Sequence, residues 1–320
     1  MSDLIIQPGP SADAPLALCI MGPTATGKTD LAMSIGEQLP TDIISVDSAM
    51  VYRELDIGSA KPTPDELARA PHRLIDIKAA NEPYSAGSFR DDALAEMEAI
   101  RAQQRIPLLV GGTMLYFQAL QRGIADLPQA DADVRQRLEI EMREQGADAM
   151  HARLADIDPQ AAERIHPNDP QRVQRALEVF EITGRSLTEL WASQQRDACP
   201  YRLLKIALMP PDRVELRRRI TERFDAMLVA GFVDEVRALH ERADIHADLP
   251  SMRSVGYRQV WRYLDGDWDY ATMREKAIIA TAQLAKRQMT WLRSEQNCNF
   301  IDPALLDVQK LLKNLNFLLS

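Results

Sequence analysis

Gly22-Pro-Thr-Ala-Thr-Gly-Lys28-Thr29 puts a glycine at each end of a short spacer and a lysine–threonine pair directly after it. That is the pattern of a loop that cradles phosphate. The glycines let successive backbone N–H groups turn inward, and a helix starting at the lysine adds partial positive charge. Lys28 brings a full charge to phosphate oxygens, and the Thr29 hydroxyl can ligate Mg²⁺. Gly22, Pro23, Thr24, Ala25, Thr26, Gly27, Lys28 and Thr29 are therefore candidate diphosphate-binding residues. A ligand-free glycine-rich turn is the alternative, and the full motif in the right context weighs against it.

That context is a short apolar run before the loop, Leu16-Ala-Leu-Cys-Ile-Met21, and a helical pattern after it from Lys28 to about Leu39. A continuous apolar run reads as a strand buried on both faces. Ile43-Ile-Ser-Val46 and Ile106-Pro-Leu-Leu-Val110 read as further strands. A helix is expected over Phe89–Gln104, started by Ser88 and Asp91, and another through Leu120. Alternating strands and helices of this kind build a parallel α/β sheet. Nucleotide hydrolases and kinases usually close a later strand with an aspartate that holds the metal. Here that strand runs into Gly111-Gly112-Thr113, and the acid near the loop is instead Asp47, at the end of the second strand. Strand ends at this edge form the ligand crevice, so Asp47 is a candidate general base or metal-assisting group. Its other reading is a helix N-cap.

From about Arg122 the alternation stops. Residues 123–200 read as helices and loops, for instance Asp133–Glu144 and Pro170–Thr183, and are taken as an inserted all-helical domain. Leu203-Leu-Lys-Ile-Ala-Leu208 returns as a strand, followed by helices near 212–229, 232–242, 253–264 and 270–293 and a closing strand and helix. The expected architecture is a P-loop NTPase-like parallel sheet over residues 15–122 and 201–320, with residues 1–14 a loose Ser/Pro/Gly-rich tail. A hydrophobic share of 46% excludes wholesale disorder, and a net charge of −9 excludes indiscriminate coating of nucleic acid. No apolar run spans a bilayer and no secretion signal stands at the N-terminus. Cys19, Cys199 and Cys298 are too dispersed for a disulfide framework or a zinc site and fit a reducing cytoplasm. The five histidines show no metal spacing and are taken as structural.

Taken together, Gly22–Thr29, Ile44-Ser-Val-Asp-Ser48 with Tyr52, Asp56-Ile-Gly-Ser-Ala-Lys-Pro62, Pro71-His-Arg-Leu-Ile-Asp76, Val110-Gly-Gly-Thr-Met-Leu-Tyr116, His166-Pro-Asn-Asp-Pro-Gln-Arg172 and Val255-Gly-Tyr-Arg258 resemble the tRNA dimethylallyltransferases, in that family's order and from about residue 16 to 293. The resemblance implies transfer of a dimethylallyl group from dimethylallyl diphosphate to the exocyclic N6 of the adenosine 3′ of the anticodon, with Mg²⁺ as cofactor. It assigns Asp47 the role of general base and puts Thr24 near the bridging oxygen. Arg223, in Thr-Glu-Arg-Phe224, becomes a second candidate diphosphate cation, its alternative being a solvated helix face. Thr113 becomes a contact to donor or nucleotide, its alternative being a helix N-cap. The resemblance also implies tRNA contacts at Asp47, Ser48, Ala49, Met50, Thr113, Arg135, Gln171, Arg172, Val173, Gln174, Arg175, Arg253, Ser254, Val255, Gly256, Tyr257, Arg258, Lys286, Arg287 and Arg293.

Such a base must be flipped out of the anticodon loop, and the tRNA held by local positive charge. Two stretches carry it. Residues 202–223 and 253–293 each hold an excess of basic over acidic side chains, the second interleaved with Tyr257, Trp261, Tyr263, Trp268 and Trp291. The bland reading is that the aromatics pack the core and the charges are solvated helix faces. A monomer is expected. The rival functions are a small-molecule ATP kinase on the same core and a nucleotide-switch RNA-binding module.

Overall fold

The structure is a computed structural model that describes residues 4–11, 13–123, 127–128, 131–193 and 198–319. Parts of the expected tail and of both ends of the helical insertion lie outside those residues. Two compact units emerge, Met1–Arg122 with Ala198–Ser320, and Gly123–Asp197.

The larger unit is built on a six-stranded, all-parallel sheet in the order β3-β2-β4-β1-β5-β6. Its strands are β1 (Leu16–Met21), β2 (Thr41–Val46), β3 (His72–Arg73), β4 (Ile106–Gly111), β5 (Arg202–Leu208) and β6 (Cys298–Ile301). Side chains alternate across each strand. Ala17, Cys19 and Met21 of β1 therefore enter one core, while Leu18 and Ile20 enter another on the opposite face. The second core is closed by α1 (Lys28–Gln38) and the C-terminal α14 (Val308–Leu319), through Leu31, Ile35, Leu311 and Leu315. The first is covered by α3 (Ala86–Ala102), α4 (Met114–Arg122), α10 (Arg213–Val229), α11 (Phe232–His240), α12 (Tyr257–Leu264) and α13 (Tyr270–Arg293). Short α2 (Pro64–Arg69), capped by Thr63 and Glu66, precedes the two-residue β3. Both are too brief to leave a periodic signal.

The N-cap of α3 is Ser85, whose Oγ accepts from Ser88 N at 3.0 Å, so the helix begins one turn before the expected start. The described residues 4–7 of the expected tail make contacts that its composition does not suggest. Because β6 pairs with β5 only from Lys205 onward, Leu203 keeps free backbone groups. Gln7 takes them in an antiparallel bridge, its N–H reaching Leu203 O at 2.8 Å. Leu4 and Ile6 pack behind it.

The smaller unit is all helical among the described residues. It comprises α5 (Ala132–Gln145), α6 (Ala147–Ile157), α7 (Pro159–Arg164), α8 (Pro170–Thr183) and α9 (Leu187–Ser193). It has its own core of Leu138, Met150, Leu154, Val173, Leu177 and Leu190. Buried Asp158 pins it by capping α7 and accepting from the Thr188 N–H at 2.9 Å and the Thr188 hydroxyl at 2.7 Å.

Candidate active site

In a parallel sheet every strand presents its C-terminal end at one edge, and β1, β2 and β4 deliver their loops there side by side. The loop after β1 is held open by its own contacts. Gly27 sits at φ 80° and ends the loop in the left-handed region, which glycine adopts freely. Ala25 is at φ 62°, a conformation that costs an L residue energy and is found at ligand-binding turns. Thr26 Oγ1 and Lys28 Nζ both donate to Pro23 O, at 2.8 and 2.7 Å. The backbone amides of Ala25, Thr26, Gly27, Lys28 and Thr29 have no acceptor among the described residues. Unpaired amides at a helix N-terminus are able to receive an anion. Pro23 lacks an N–H and contributes its carbonyl instead, while Thr26, 3% exposed, can offer a ligand only its amide.

Asp47 follows β2. Its Oδ1 accepts from Ala49 N at 2.8 Å and Met50 N at 3.3 Å, while Oδ2 has no donor among the described residues. The cap reading and the chemical reading thus apply to different oxygens of one carboxylate. After β4, Thr113 Oγ1 accepts from Ser48 N at 3.1 Å and Thr113 N donates to Val46 O at 3.2 Å, tying the second and third loops together. The tie to the first loop is Gln288 of α13, which accepts from Thr24 N at 3.1 Å and donates to Gly112 O at 2.8 Å.

These loops open on a cavity of about 540 Å³. Thr24, Lys28, Thr29, Asp47 and Arg223 line one part of it, and Met114, Ile220, Phe224, Met227 and Leu284 give it an apolar wall. Burial, then the neighbouring Arg223, push Lys28 down to about 8, with Asp47 opposing. Burial also lowers Arg223 from its ordinary value, again opposed by Asp47. Two confined cations facing a single carboxylate favour a multiply charged anion between them. The site therefore combines anion stabilisation, an apolar wall and a free carboxylate oxygen.

Residues 50–295 match the family described as IPP transferase. A tRNA dimethylallyltransferase of Thioalkalivibrio sulfidiphilus is 56% identical over 93% of this chain and 93% of its own length. That of Alkalilimnicola ehrlichii is 58% identical over 92% of each chain. The chain belongs to the IPP transferase family. The crystal structure of the full-length tRNA isopentenylpyrophosphate transferase from Bacillus halodurans superposes with a TM-score of 0.69 at 36% identity, covering 96% of both chains. A eukaryotic dimethylallyltransferase acting on tRNA shares the fold, with a TM-score of 0.78 at 23% identity over 95% of this chain and 77% of that one.

Among the residues expected from the sequence, the cavity brings together Thr24, Lys28, Thr29, Asp47, Ser48, Ala49, Met50, Thr113, Arg223, Arg253, Ser254, Val255, Gly256 and Arg287. Arg258, Lys286 and Arg293 are exposed and in no ion pair among the described residues. Two of the expected tRNA contacts are core residues instead. Tyr257 is 0% exposed, its hydroxyl donating to Glu235 Oε1 at 2.6 Å and its ring meeting Phe232 edge-on at 5.0 Å. Val173 is 0% exposed inside the smaller unit, on the inward face of α8. On the same helix Gln171 and Arg172 are exposed, Arg172 lying 3.2 Å from the capping Asp169. Gln174 donates to Arg135 O at 3.2 Å. Arg175 and Arg135 pair with buried Glu178, at 2.9 and 3.4 Å, so part of their charge is already used.

Part of the first basic stretch is already paired. Lys205 is buried against Glu295 at 2.6 Å, and Arg218 and Arg219 pair with Glu215 on their own helix. Of the interleaved aromatics, Trp261 is core and Trp268 lies under Arg262 at 4.5 Å and Lys276 at 5.2 Å, while Trp291 lines the cavity. His72 and Gln288 are among the lining residues that escape the sequence reading. His72 is expected there to be structural, yet it borders the cavity with Nδ1 held 2.6 Å from Ala70 O. Gln288 carries no charge, so the charge pattern hides it. The lining positions Thr281, Leu284, Gln288 and Trp291 do share one helical face, a periodicity that points to it.

Proposed function

We propose that this chain moves a dimethylallyl group from dimethylallyl diphosphate to the exocyclic N6 of the adenosine 3′ of the anticodon in tRNA, releasing diphosphate. One observation carries the reading: Thr24, Lys28 and Thr29 of the phosphate-type loop line the same apolar-walled cavity as a carboxylate with one oxygen free. A kinase reading is not favoured, since the relatives are prenyl-transferring enzymes by name and β4 ends in glycines without the metal-holding aspartate of that class.

The chemistry follows from the groups available. An adenine amine is a poor nucleophile because its lone pair is delocalised into the ring. Asp47 Oδ2 takes the amine proton as the new N–C bond forms, help worth about 10²–10⁴-fold in such reactions. As the allylic C–O bond breaks, charge collects on the departing diphosphate. The amides of Ala25–Thr29, Lys28 and Arg223 stabilise it, with the Thr24 hydroxyl near the bridging oxygen. Donors fixed before the reaction need no reorganisation as charge develops, which is why a rigid loop serves here.

Mg²⁺ fits this donor set in a limited way. Among the described residues no group of three or more His, Cys, Asp or Glu side chains could hold a metal ion. Mg²⁺ commonly binds through one or two protein oxygens plus substrate phosphates and water. Thr29, whose hydroxyl has no partner among the described residues, would hold it, and the ion would neutralise diphosphate charge.

For tRNA, exposed Arg258, Lys286, Arg287 and Arg293 supply phosphate contacts, and Gln171 and Arg172 of the smaller unit offer further polar ones. Flipping an unpaired loop base costs at most a few kcal/mol. No helix among the described residues is long and apolar enough to cross a membrane. The test is direct: labelled dimethylallyl diphosphate, Mg²⁺ and unmodified tRNA should yield labelled tRNA. ATP hydrolysis without label transfer would favour a kinase.

A further inference from the structure

Gln288 uses both ends of its side-chain amide on loops far away in sequence. Oε1 accepts from Thr24 N at 3.1 Å and Nε2 donates to Gly112 O at 2.8 Å. The glycine at 112 is a consequence: a Cβ there would come within 2.6 Å of Nε2, so any larger residue makes the amide swing away and lose its bond. From Gly112 the connection continues. Thr113 N donates to Val46 O and Thr113 Oγ1 accepts from Ser48 N, on either side of Asp47. A single side chain from α13 thus closes a line from the diphosphate cradle to the carboxylate. It also takes the Thr24 amide out of the ligand's donors and leaves the Thr24 hydroxyl without a protein partner among the described residues.

We propose that Gln288 is a positioning residue that sets the distance between the diphosphate cradle and Asp47 while touching neither reacting atom; the proposal rests on the prenyl-transfer reading above. Displacement at carbon requires the amine and the leaving oxygen on opposite sides of one atom. The protein holds those two groups from different strand ends, so their separation is no more fixed than the link between the loops. A misplacement of about 1 Å from a residue away from the chemistry can cost on the order of 10²-fold in rate.

The experiment combines single-turnover and steady-state kinetics with calorimetry of inorganic diphosphate binding. Gln288→Ala is expected to lower kcat about 10²-fold. The affinity for inorganic diphosphate should stay within about threefold, because the Ala25–Thr29 amides, Lys28 and Arg223 remain. Gly112→Ala should lower kcat comparably by displacing the amide. The double variant should be no worse than Gln288→Ala alone, since the obstacle and the obstructed group are removed together. Circular dichroism follows folding in each, and Gly112→Ala decides the matter if Gln288→Ala does not fold. Unchanged kcat in either folded single variant, or losses that multiply in the double variant, would overturn the proposal. So would a fall in diphosphate affinity matching the fall in kcat, which would make Gln288 part of the cradle. Failure of the underlying reading looks different: the wild-type chain would bind diphosphate and transfer no prenyl group.

Discussion

The loops after β1 and β2 leave the same sheet edge with the same raw materials, backbone amides and one charged side chain, and use them in opposite ways. After β1 the amides of Ala25–Thr29 are left without acceptors and the charged group is a cation, so the loop can only be completed by an anion from outside. After β2 the amides of Ala49 and Met50 are consumed by Asp47 Oδ1 and that of Ser48 by Thr113 Oγ1, so these three need nothing from outside the protein. What the loop leaves over is one carboxylate oxygen, held rigidly by the turn its partner oxygen makes. On the proposed reading the difference teaches a division of labour: one loop receives charge and the other receives a proton. Each is efficient because its geometry is fixed before substrate arrives.

Removing the proton acceptor should have the largest effect. Asp47→Asn keeps a side-chain oxygen for the Ala49 and Met50 amides, so the turn survives while basicity is lost. Turnover should fall about 10²–10⁴-fold, with diphosphate affinity nearly unchanged. Turnover close to normal, measured by label transfer to tRNA, would erase the contrast between the loops. Next comes Lys28→Met. Hydrogen bonds to charged groups contribute about 1.5–3 kcal/mol, so diphosphate binding should weaken by roughly ten- to a hundredfold by calorimetry. The same substitution should raise the melting temperature. A lysine whose pKa is pushed down to about 8 in the folded chain opposes folding while it is charged, fully so below that pH.

That depressed pKa sharpens the comparison a third way. As pH rises through about 8 the free loop loses the Lys28 proton that a bound diphosphate needs. Affinity for inorganic diphosphate should then fall, approaching tenfold per pH unit, with proton uptake on binding. In Lys28→Met that contribution should vanish, leaving only the ionisation of diphosphate itself. A wild-type pH dependence identical to that of Lys28→Met between pH 7 and 9.5 would mean the lysine is not part of the cradle.

Much of this arrangement was legible in the residues alone. Glycine spacing, apolar runs and the stop at residue 122 yielded the parallel sheet, the phosphate loop and the helical insertion, because each rests on local chemistry that one segment satisfies by itself. Asp47 was legible as a strand-end acid, though the sharing of its two oxygens between turn and cavity was not. What escaped depends on partners distant in sequence. Gln288 has meaning only through Thr24 and Gly112. Tyr257 lies within a family motif and Val173 directly follows one, and only packing shows that their side chains point inward. The Gln7–Leu203 bridge follows from a mismatch in strand length between β5 and β6, which no local pattern encodes.

The two basic stretches are a second test of the same lesson, with the smallest expected effect. By sequence each carries surplus positive charge, but in the fold part of it is already paired: at 202–223 Lys205 lies on Glu295 and Arg218 and Arg219 on Glu215, while Arg213 and Arg217 stay exposed outside any ion pair among the described residues. In the 253–293 stretch Arg258, Lys286, Arg287 and Arg293 stay exposed and outside any ion pair among the described residues. Charge that is already paired releases few counterions when RNA arrives. Each free cation that meets a phosphate adds about 0.7 to the slope of log affinity against log salt for single-stranded nucleic acid. Lys286→Ala or Arg293→Ala should therefore reduce the salt slope of tRNA binding by about that amount, whereas Arg218→Ala should leave it unchanged. Equal reductions at Arg218 and Lys286 would show that ion pairing within the helix does not protect a charge from RNA, and that sequence-level surplus alone marks the binding face.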